Sequence, residues 1–389
     1  MYPTFSDFLF DLFGIKIPLP IQTFGLFMGL AFIVAAWLWG KELTRLTILH
    51  NIKPSYRKEI VGLPATSFEL FLNGFLGFVF GYKLIFIIQN YTMFVSDPPS
   101  TLLSAKGSLF GGLFVGALAT YYKFYSSYKL KLAKPIEKTI EITAAEHVGN
   151  MTFIAAIFGI LGAKIFHNLE NINDFAQDPI GSLLSFSGLT WYGGLICATA
   201  ALYFYSKKHK LYFPYLMDSS APSLMIGYAI GRFGCHFSGD GDWGIINETT
   251  KPNYLQFMPD WLWAYKYPHN VINEGIPIIG CQGQHCMQLA NAVFPTPLYE
   301  AIVCTLLFFV LWYLRKNTKI VGLLFSIYLI FNGIERFAVE LIRVNTTYDI
   351  FGGITQAQII STLIFITGLI SSIIVVSKFN QNKKAIINS

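Results

Sequence analysis

Nine long apolar runs constrain the fold of this chain more than any other feature of its sequence. A helix that crosses the hydrocarbon core of a bilayer needs about 17 to 25 mostly apolar residues. Hydrophobic residues make up 53% of the 389 residues and charged residues only 13%, against about 25% charged in soluble domains. The sequence therefore predicts an all-α polytopic membrane protein with about nine transmembrane or part-spanning helices. The expected spans are 22–40, 69–89, 109–125, 151–170, 189–206, 217–236, 297–314, 321–342 and 355–377.

Lysine and arginine collect in alternate loops, which predicts the orientation of the chain. The loops after spans one, three, five and seven and the tail hold nineteen basic residues, whereas the other loops and the N-terminal segment hold four. Because cytoplasmic loops carry the excess of positive charge, we expect an outer N-terminus and a cytoplasmic C-terminus. The net charge of +6 is then mostly loop charge, and no nucleic-acid partner is expected. The nineteen are Lys41, Arg45, Lys53, Arg57, Lys58, Lys123, Lys129, Lys131, Lys134, Lys138, Lys207, Lys208, Lys210, Arg315, Lys316, Lys319, Lys378, Lys383 and Lys384, and the four are Lys16, Lys106, Lys251 and Lys266.

This topology divides the chain into three parts. Residues 1–237 would form helices one to six, residues 238–296 an outer (periplasmic) loop domain, and residues 297–389 helices seven to nine with a cytoplasmic tail. The first fourteen residues contain Asp7 and Asp11 but no basic residue, unlike the start of a cleaved signal peptide. A short amphipathic segment on the outer surface is expected there.

Helices two and three resemble helices four and five. Residues 81–90 match 162–171, and residues 108–113 match 189–195, with offsets of 81 and then 82 residues. A near-constant offset indicates a duplicated two-helix unit, over about 69–125 and 151–206. Internal repeats are common in transporters, while chance similarity between glycine-rich membrane helices is the alternative.

An arginine in a glycine-rich stretch marks the end of the sixth span. An arginine at the centre of a membrane helix costs about 2.5 to 3.5 kcal/mol on insertion, so Arg232 should face a protein interior or a wet cavity with a partner. The glycines around it allow close backbone approach, and their amide groups would surround an anion. The stretch predicts a phosphate site, and an interfacial arginine that reaches water is the alternative. The glycines are Gly231, Gly234, Gly239, Gly241 and Gly244.

Further charged residues occur in spans seven and eight. Arg336 and Glu340 are four residues apart on one helix face, and Arg343 follows one turn later. Glu300 lies in the first turn of span seven, where the helix dipole favours a carboxylate. Charges at this density predict a polar cavity, and a purely structural ion-pair cluster is the alternative.

Taken in this order, these stretches resemble the prolipoprotein diacylglyceryl transferase family. Residues 231–244 are a variant of the family's Gly-Arg-x-Gly-Asn-x-x-Asn-Gly-Glu-x-x-Gly, in which Cys235 and Ser238 replace the asparagines and Asp240 falls on the glutamate. Residues 294–300 are similar to His-Pro-x-x-Leu-Tyr-Glu, and residues 336–343 to Arg-x-x-x-Glu-x-x-Arg. The resemblance covers roughly residues 20–40 and 155–375 of the chain.

The resemblance implies transfer of the diacylglyceryl group of phosphatidylglycerol to the lipobox cysteine thiol of a prolipoprotein, with release of glycerol phosphate. The implied partners are phosphatidylglycerol, prolipoprotein signal peptides and membrane lipids, without a cofactor or metal. The implied location is the bacterial cytoplasmic (inner) membrane, with the site toward the outer leaflet. Arginines suit such a site because their planar forks bind phosphate bidentately. A transporter or flippase of an anionic substrate or lipid is the alternative function.

Two departures from the family leave the base for the thiol open. Tyr192 stands where the family has histidine before Gly-Gly-Leu, and Phe24 stands where it has tyrosine. Tyr192, His167 and His236 are the candidate bases, while Asp240 and Glu340 would orient the arginines or bind the lipid glycerol. The predicted catalytic residues are Arg232, Arg336, Tyr192, Asp240 and Glu340, and the predicted substrate-binding residues are Arg232, Gly234, Gly239, Gly244, Gly193, Gly194, Tyr299, Glu300 and Arg343.

Two of the five cysteines lie close together in the expected outer loop. Outside the membrane, Cys281 and Cys286 predict a small disulfide loop. A metal site that also uses His285 is less favoured, because no second pair of ligands lies nearby in sequence. The remaining cysteines lie in or at the ends of spans and are expected to be core residues: Cys197, Cys235 and Cys304.

The predicted orientation can be tested by cysteine labelling. A cysteine introduced at Asn247 should react with a membrane-impermeant maleimide added to intact spheroplasts, whereas one introduced at Lys131 should react only after permeabilisation. The reverse pattern would place the arginine-rich end of the protein in the cytoplasm.

Overall fold

The computed structural model of the protein describes residues 1–14, 21–96, 98–184, 188, 190–344, 347–348 and 353–387. Lys16 and Leu189, named above for loop charge and for the repeat, lie outside these residues. The helices are α1 (Phe5–Phe13), α2 (Thr23–Leu49), α3 (Ser67–Gln89), α4 (Tyr91–Ser96), α5 (Pro98–Leu103), α6 (Leu109–Lys129), α7 (Val148–Glu170), α8 (Ile172–Gln177), α9 (Pro179–Leu184), α10 (Trp191–Lys208), α11 (Phe213–Ser238), α12 (Asp260–Trp263), α13 (Thr296–Leu314), α14 (Leu323–Glu340) and α15 (Gln356–Ile387). The strands are β1 (Ser55–Val61), β2 (Ile136–Ile142), β3 (Ile276–Pro277), β4 (Met287–Gln288), β5 (Thr347–Tyr348) and β6 (Ile354–Thr355).

Each predicted apolar run coincides with a long helix: α2, α3, α6, α7, α10, α11, α13, α14 or α15. Among the described residues, five helices are long and apolar enough to cross a membrane by length and composition. The mostly helical membrane protein is therefore confirmed, whereas nine crossings remain a prediction. Helix α14 is less apolar because it carries Glu335, Arg336 and Glu340. The five are Thr23–Leu49, Ser67–Gln89, Ala144–Glu170, Thr296–Leu314 and Gln356–Asn382.

Glycines hold two helix pairs at close distance. A Cβ atom added to Gly81 on α3 would lie 2.4 Å from the carbonyl oxygen of Gly111 on α6. At the equivalent crossing of α7 and α10, a Cβ atom on Gly162 would lie 2.5 Å from the carbonyl oxygen of Gly193. Small residues allow membrane helices to approach in this way. The same contact recurs at matching positions, which supports the proposed duplication.

The loops rich in basic residues lie together at one end of the helices. Strands β1 and β2 pair antiparallel and so join the loop after α2 to the loop after α6. At the same end, the buried Glu42 of α2 is ion-paired with Arg45 at 2.6 Å and with Arg315, which follows α13. His147, just before α7, lies 2.8 Å from the hydroxyl of Tyr205 on α10.

The N-terminus and residues 238–295 lie at the other end of the helices. The ammonium group of Met1 donates to the carbonyl of Pro268 at 2.8 Å, and the amide of Tyr2 donates to Phe237. Helix α1 begins with a capping box formed by Thr4 and Asp7. The basic loops and the N-terminus thus lie at opposite ends of the helices, as the distribution of loop charge predicts. Which end faces the cytoplasm remains a prediction.

The segment between α11 and α13 contains short strands that the all-α prediction did not include. Strands β3 and β4 form a hairpin, and Cys281 and Cys286 are joined by a disulfide at its tip, with Cα atoms 5.6 Å apart. A small apolar cluster lies beneath it. Two-residue strands leave no hydrophobic periodicity in the sequence, so the apolar runs gave no sign of them. The cluster contains Trp243, Tyr267, Leu289 and Val293.

Replacing both cysteines of the hairpin by serine should lower the stability of the segment between α11 and α13 but leave turnover nearly unchanged. Closing so short a loop constrains the unfolded chain by about 2 kcal/mol in the chain-entropy model. Thermal unfolding in detergent measures the loss, and mass spectrometry after alkylation without reductant should find Cys281 and Cys286 unmodified. Two alkylated thiols in protein from an oxidising compartment would contradict the disulfide.

Candidate active site

Arg232 lies inside α11, six residues before the helix ends at Ser238. Its Nε atom is 2.7 Å from a carboxylate oxygen of Glu300, and its Nη1 atom donates to Asp242. The guanidinium also lies 5.1 Å from the ring centre of Tyr228, one helical turn earlier. The arginine therefore has two carboxylate partners, one of them fully buried, as expected of an arginine in a membrane helix.

Glu300 is the acceptor shared by two arginines. It lies in the first turns of α13 and is fully buried. Besides Arg232, it contacts Nη1 of Arg343 at 3.4 Å and accepts a hydrogen bond from the hydroxyl of Tyr228. A buried carboxylate is stable only when cations and donors surround it in this way. Glu300 thus joins α11, α13 and the segment after α14.

Asp242 bridges the same two arginines from the loop after α11. Its two carboxylate oxygens contact Arg232 and Arg343. Burial acts to raise the pKa of Asp242, but the two guanidinium groups outweigh burial and hold the pKa below its ordinary value. The sequence assigned this orienting role to Asp240, and that assignment is wrong for Arg232. The bridging carboxylate therefore lies two residues after the position predicted from the sequence.

Helix α14 supplies the third arginine. Nη2 of Arg336 lies 2.8 Å from Glu340, as the four-residue spacing predicts, while Nη1 is buried without a hydrogen-bond partner among the described residues. Tyr192 of α10 is hydrogen-bonded to Arg336. Arg336 also interacts electrostatically with Glu300 and Arg232. Helices α10, α11, α13 and α14 therefore converge on one charged cluster.

The glycines predicted to bind substrate lie at close packing contacts. A Cβ atom on Gly234 would lie 2.8 Å from Cβ of Phe27, one on Gly193 would lie 2.4 Å from Phe166, and one on Gly194 would lie 2.8 Å from the carbonyl of Gly159. The amide groups of two further glycines are occupied by backbone carbonyls. The prediction that the amide groups of Gly239 and Gly244 bind an anion is therefore wrong. These amides donate to Cys235 and Phe294 respectively.

Three other predicted residues have hydrogen-bond contacts with groups other than the arginines: Tyr299, His236 and His167. The hydroxyl of Tyr299 donates to the carbonyl of Leu262 at 2.7 Å and lines an apolar cavity of about 370 Å³. His236 is buried, 3.2 Å from the hydroxyl of Tyr267, and His167 lies 3.3 Å from the side-chain amide of Asn171. The cavity is also lined by Lys251, Leu255, Met258, Trp263, Phe294 and Ile342.

Three residues of the cluster were not predicted from the sequence: Tyr228, Asp242 and Glu335. Tyr228 lies four residues before Arg232, so helical spacing could have indicated it. Glu335 precedes Arg336, is 4% exposed, and neither carboxylate oxygen has a hydrogen-bond partner among the described residues. No spacing rule distinguishes Asp242 from Asp240, because both lie in an irregular loop.

Comparison with known proteins identifies relatives of the chain. The profile of the prolipoprotein diacylglyceryl transferase family matches residues 129–374. The chain is 30% identical over 236 residues to the phosphatidylglycerol–prolipoprotein diacylglyceryl transferase of Clostridium botulinum (strain Langeland), covering 60% of this chain and 81% of the relative. The enzyme of the same name from Stenotrophomonas maltophilia is 29% identical over 242 residues, covering 58% and 75%.

A third relative of that name, from Leptospira interrogans, is 26% identical over 327 residues, covering 83% of this chain and 72% of the relative. The family profile begins near the end of α6 and includes every helix that supplies the charged cluster. On the extent of this match, the chain belongs to the prolipoprotein diacylglyceryl transferase family.

Proposed function

We propose that this protein transfers the diacylglyceryl group of phosphatidylglycerol to the lipobox cysteine thiol of a prolipoprotein and releases glycerol phosphate, the first step of lipoprotein maturation. The observation that carries the proposal is the convergence of Arg232, Arg336 and Arg343 in a chain of this family. The names of the relatives supply the lipid and the protein substrate.

The reaction places negative charge where the arginines lie. The thiolate sulfur forms a bond to the glyceryl carbon, and the bond from that carbon to the phosphate oxygen breaks. The electron pair leaves with glycerol phosphate, which changes from a diester to a more highly charged monoester. Guanidinium groups held in place before the reaction stabilise this charge without reorganisation.

Arg336 has the clearest donor for the phosphate. Its Nη1 atom is buried and has no hydrogen-bond partner among the described residues. Arg232 and Arg343 each contact both Asp242 and Glu300, so these carboxylates fix the two guanidinium planes. Burying an ion pair costs desolvation free energy. These pairs are worth that cost if they hold the guanidinium groups where negative charge develops in the reaction.

The location of the reaction follows from loop charge and from the position of the cluster. The arginines lie at the end of the helices that also holds the N-terminus, opposite the basic loops. With the basic loops in the cytoplasm, the site faces the outer leaflet of the bacterial inner membrane. A transporter would use the same cations only to bind its anionic substrate. The family match favours a transferase over a transporter.

Purified protein should convert both substrates together. With phosphatidylglycerol labelled in its head group and a lipobox peptide, we expect equimolar release of labelled glycerol phosphate and a peptide mass increased by one diacylglyceryl group. A peptide with serine in place of the cysteine is the control and should yield neither product. Movement of intact lipid across liposomes without release of glycerol phosphate would instead establish the transporter.

Arg232→Lys and Arg336→Lys should each lower turnover by roughly 100-fold or more, the usual effect of losing one donor to a developing anion. Lysine keeps the charge but loses the planar fork. Arg57→Lys, the same exchange at an exposed position of β1, is the matched control and should leave turnover within about twofold. Thermal unfolding in detergent checks folding. A well-folded Arg232→Ala variant with near-normal turnover would contradict phosphate stabilisation by Arg232.

A further inference from the structure

The transfer needs a group that removes the thiol proton. A free cysteine thiol has a pKa of about 8.5, so most of the substrate is protonated at neutral pH. Tyr192, at the position of the family histidine, is hydrogen-bonded to the cation Arg336 and is therefore poorly suited to accept a proton. His236 is buried against Tyr267 rather than against the arginines. Among the groups close to the arginines, the carboxylates are therefore the candidates for the base.

Most carboxylates of the cluster already form ion pairs with arginines. Asp242 and Glu300 each hold two arginines, and Glu340 holds Arg336. Glu335 is 4% exposed within α14, where a peptide thiol has no access. Asp240 differs from all of them, because it lies outside the helices, is half-buried, and forms no ion pair with an arginine among the described residues.

Asp240 is held firmly beside the arginines. Gly239 and Gly241 flank it with φ angles of 65° and 97°, and a Cβ atom on Gly239 would lie 2.9 Å from Cβ of Asn270. One Asp240 oxygen accepts the amide of Asp242 at 3.3 Å. A carboxylate oxygen of Asp240 lies within 4.8 Å of the carboxylate of Asp242, which contacts Arg232 and Arg343. A thiol that reaches Asp240 is thus next to the cations.

We propose that Asp240 is the general base that removes the proton from the substrate cysteine, an inference that rests on the proposed function. The proton moves from sulfur to a carboxylate oxygen of Asp240, and the thiolate then attacks the glyceryl carbon. The carbon–oxygen bond to phosphate breaks, and the electron pair leaves with glycerol phosphate toward the arginines. Asp240 returns its proton to water, to which it is partly exposed.

The surroundings of Asp240 favour this role. The sulfur of Cys235 lies within 4.8 Å of a carboxylate oxygen of Asp240, so there is room for a sulfur atom beside this carboxylate. Burial, followed by the charge of Asp242, raises the pKa of Asp240 and makes it a stronger base. Arg232 acts in the opposite direction. Tyr267 is the other titratable group that interacts with Asp240.

Asp240→Asn tests the proposal with little change in shape, because the amide oxygen can still accept the amide of Asp242. A general base contributes about 10²- to 10⁴-fold to a rate, so kcat should fall by that factor while KM for phosphatidylglycerol stays within about threefold. Asp260→Asn is the matched control, since Asp260 lies in the same segment, has a side chain that is 95% exposed, and should show unchanged turnover.

A selenocysteine peptide separates loss of a base from loss of structure. A selenol is ionised at neutral pH, so it needs no base, and Asp240→Asn should recover most of the wild-type rate with it. The rate of the variant with the cysteine peptide should also keep rising with pH as the thiol ionises by itself.

Three results would overturn the proposal. The first is a well-folded Asp240→Asn variant with turnover within threefold of wild type, and the second is an equal deficit with thiol and selenol. The third is loss of wild-type activity on addition of EDTA, which would indicate that Cys235, Asp240 and Asp242 hold a metal. If wild-type protein releases no glycerol phosphate, the proposed function itself fails.

Discussion

The arrangement of the site depends on the ion pairs that the buried carboxylate of Glu300 forms with two arginines. The carboxylate has no exposed surface, and it is shared by Arg232 from α11 and Arg343 from beyond α14, with Tyr228 as a further donor. Removing one partner from such a network leaves an unpaired buried charge, which costs far more than the pair contributes. The network therefore orients the guanidinium groups and couples the helices that carry them.

A second buried ion cluster lies at the opposite end of the helices and has a different character. Glu42 is ion-paired with Arg45 and Arg315, and the guanidinium of Arg315 lies 3.3 Å from the ring centre of Trp312. Both cations in it have a partner, and the adjoining space of about 10 Å³ has room for no more than about one water molecule. Its chemistry fits a structural link between α2 and α13. In the cluster around Glu300, by contrast, one guanidinium nitrogen of Arg336 has no hydrogen-bond partner in the described part of the chain.

The two helix pairs of the predicted repeat share a packing contact, but only the second pair contributes to the site. Helices α3 and α6 cross at Gly81 and Gly111 as α7 and α10 cross at Gly162 and Gly193. Most of the first pair lies outside the family match, which begins at residue 129. Phe110 occupies the position equivalent to Tyr192 and is 75% exposed, so the first pair contributes no hydroxyl to an arginine there. The two helix pairs thus have the glycine contact in common, whereas the hydroxyl beside the arginines belongs to the second pair alone.

The sequence by itself determined the helices and most of the charged residues of the site, because apolar runs of membrane length form spanning helices and an arginine within one requires a buried partner. The four-residue spacing of Arg336 and Glu340 also predicted their contact. Only the tertiary structure decided that Asp242 and not Asp240 bridges Arg232 and Arg343, and that Gly239 and Gly244 use their amides within the backbone. Helical periodicity fixes which side chains share a face, whereas an irregular loop with glycines at positive φ has no such period. Contacts across helices distant in sequence follow from packing alone.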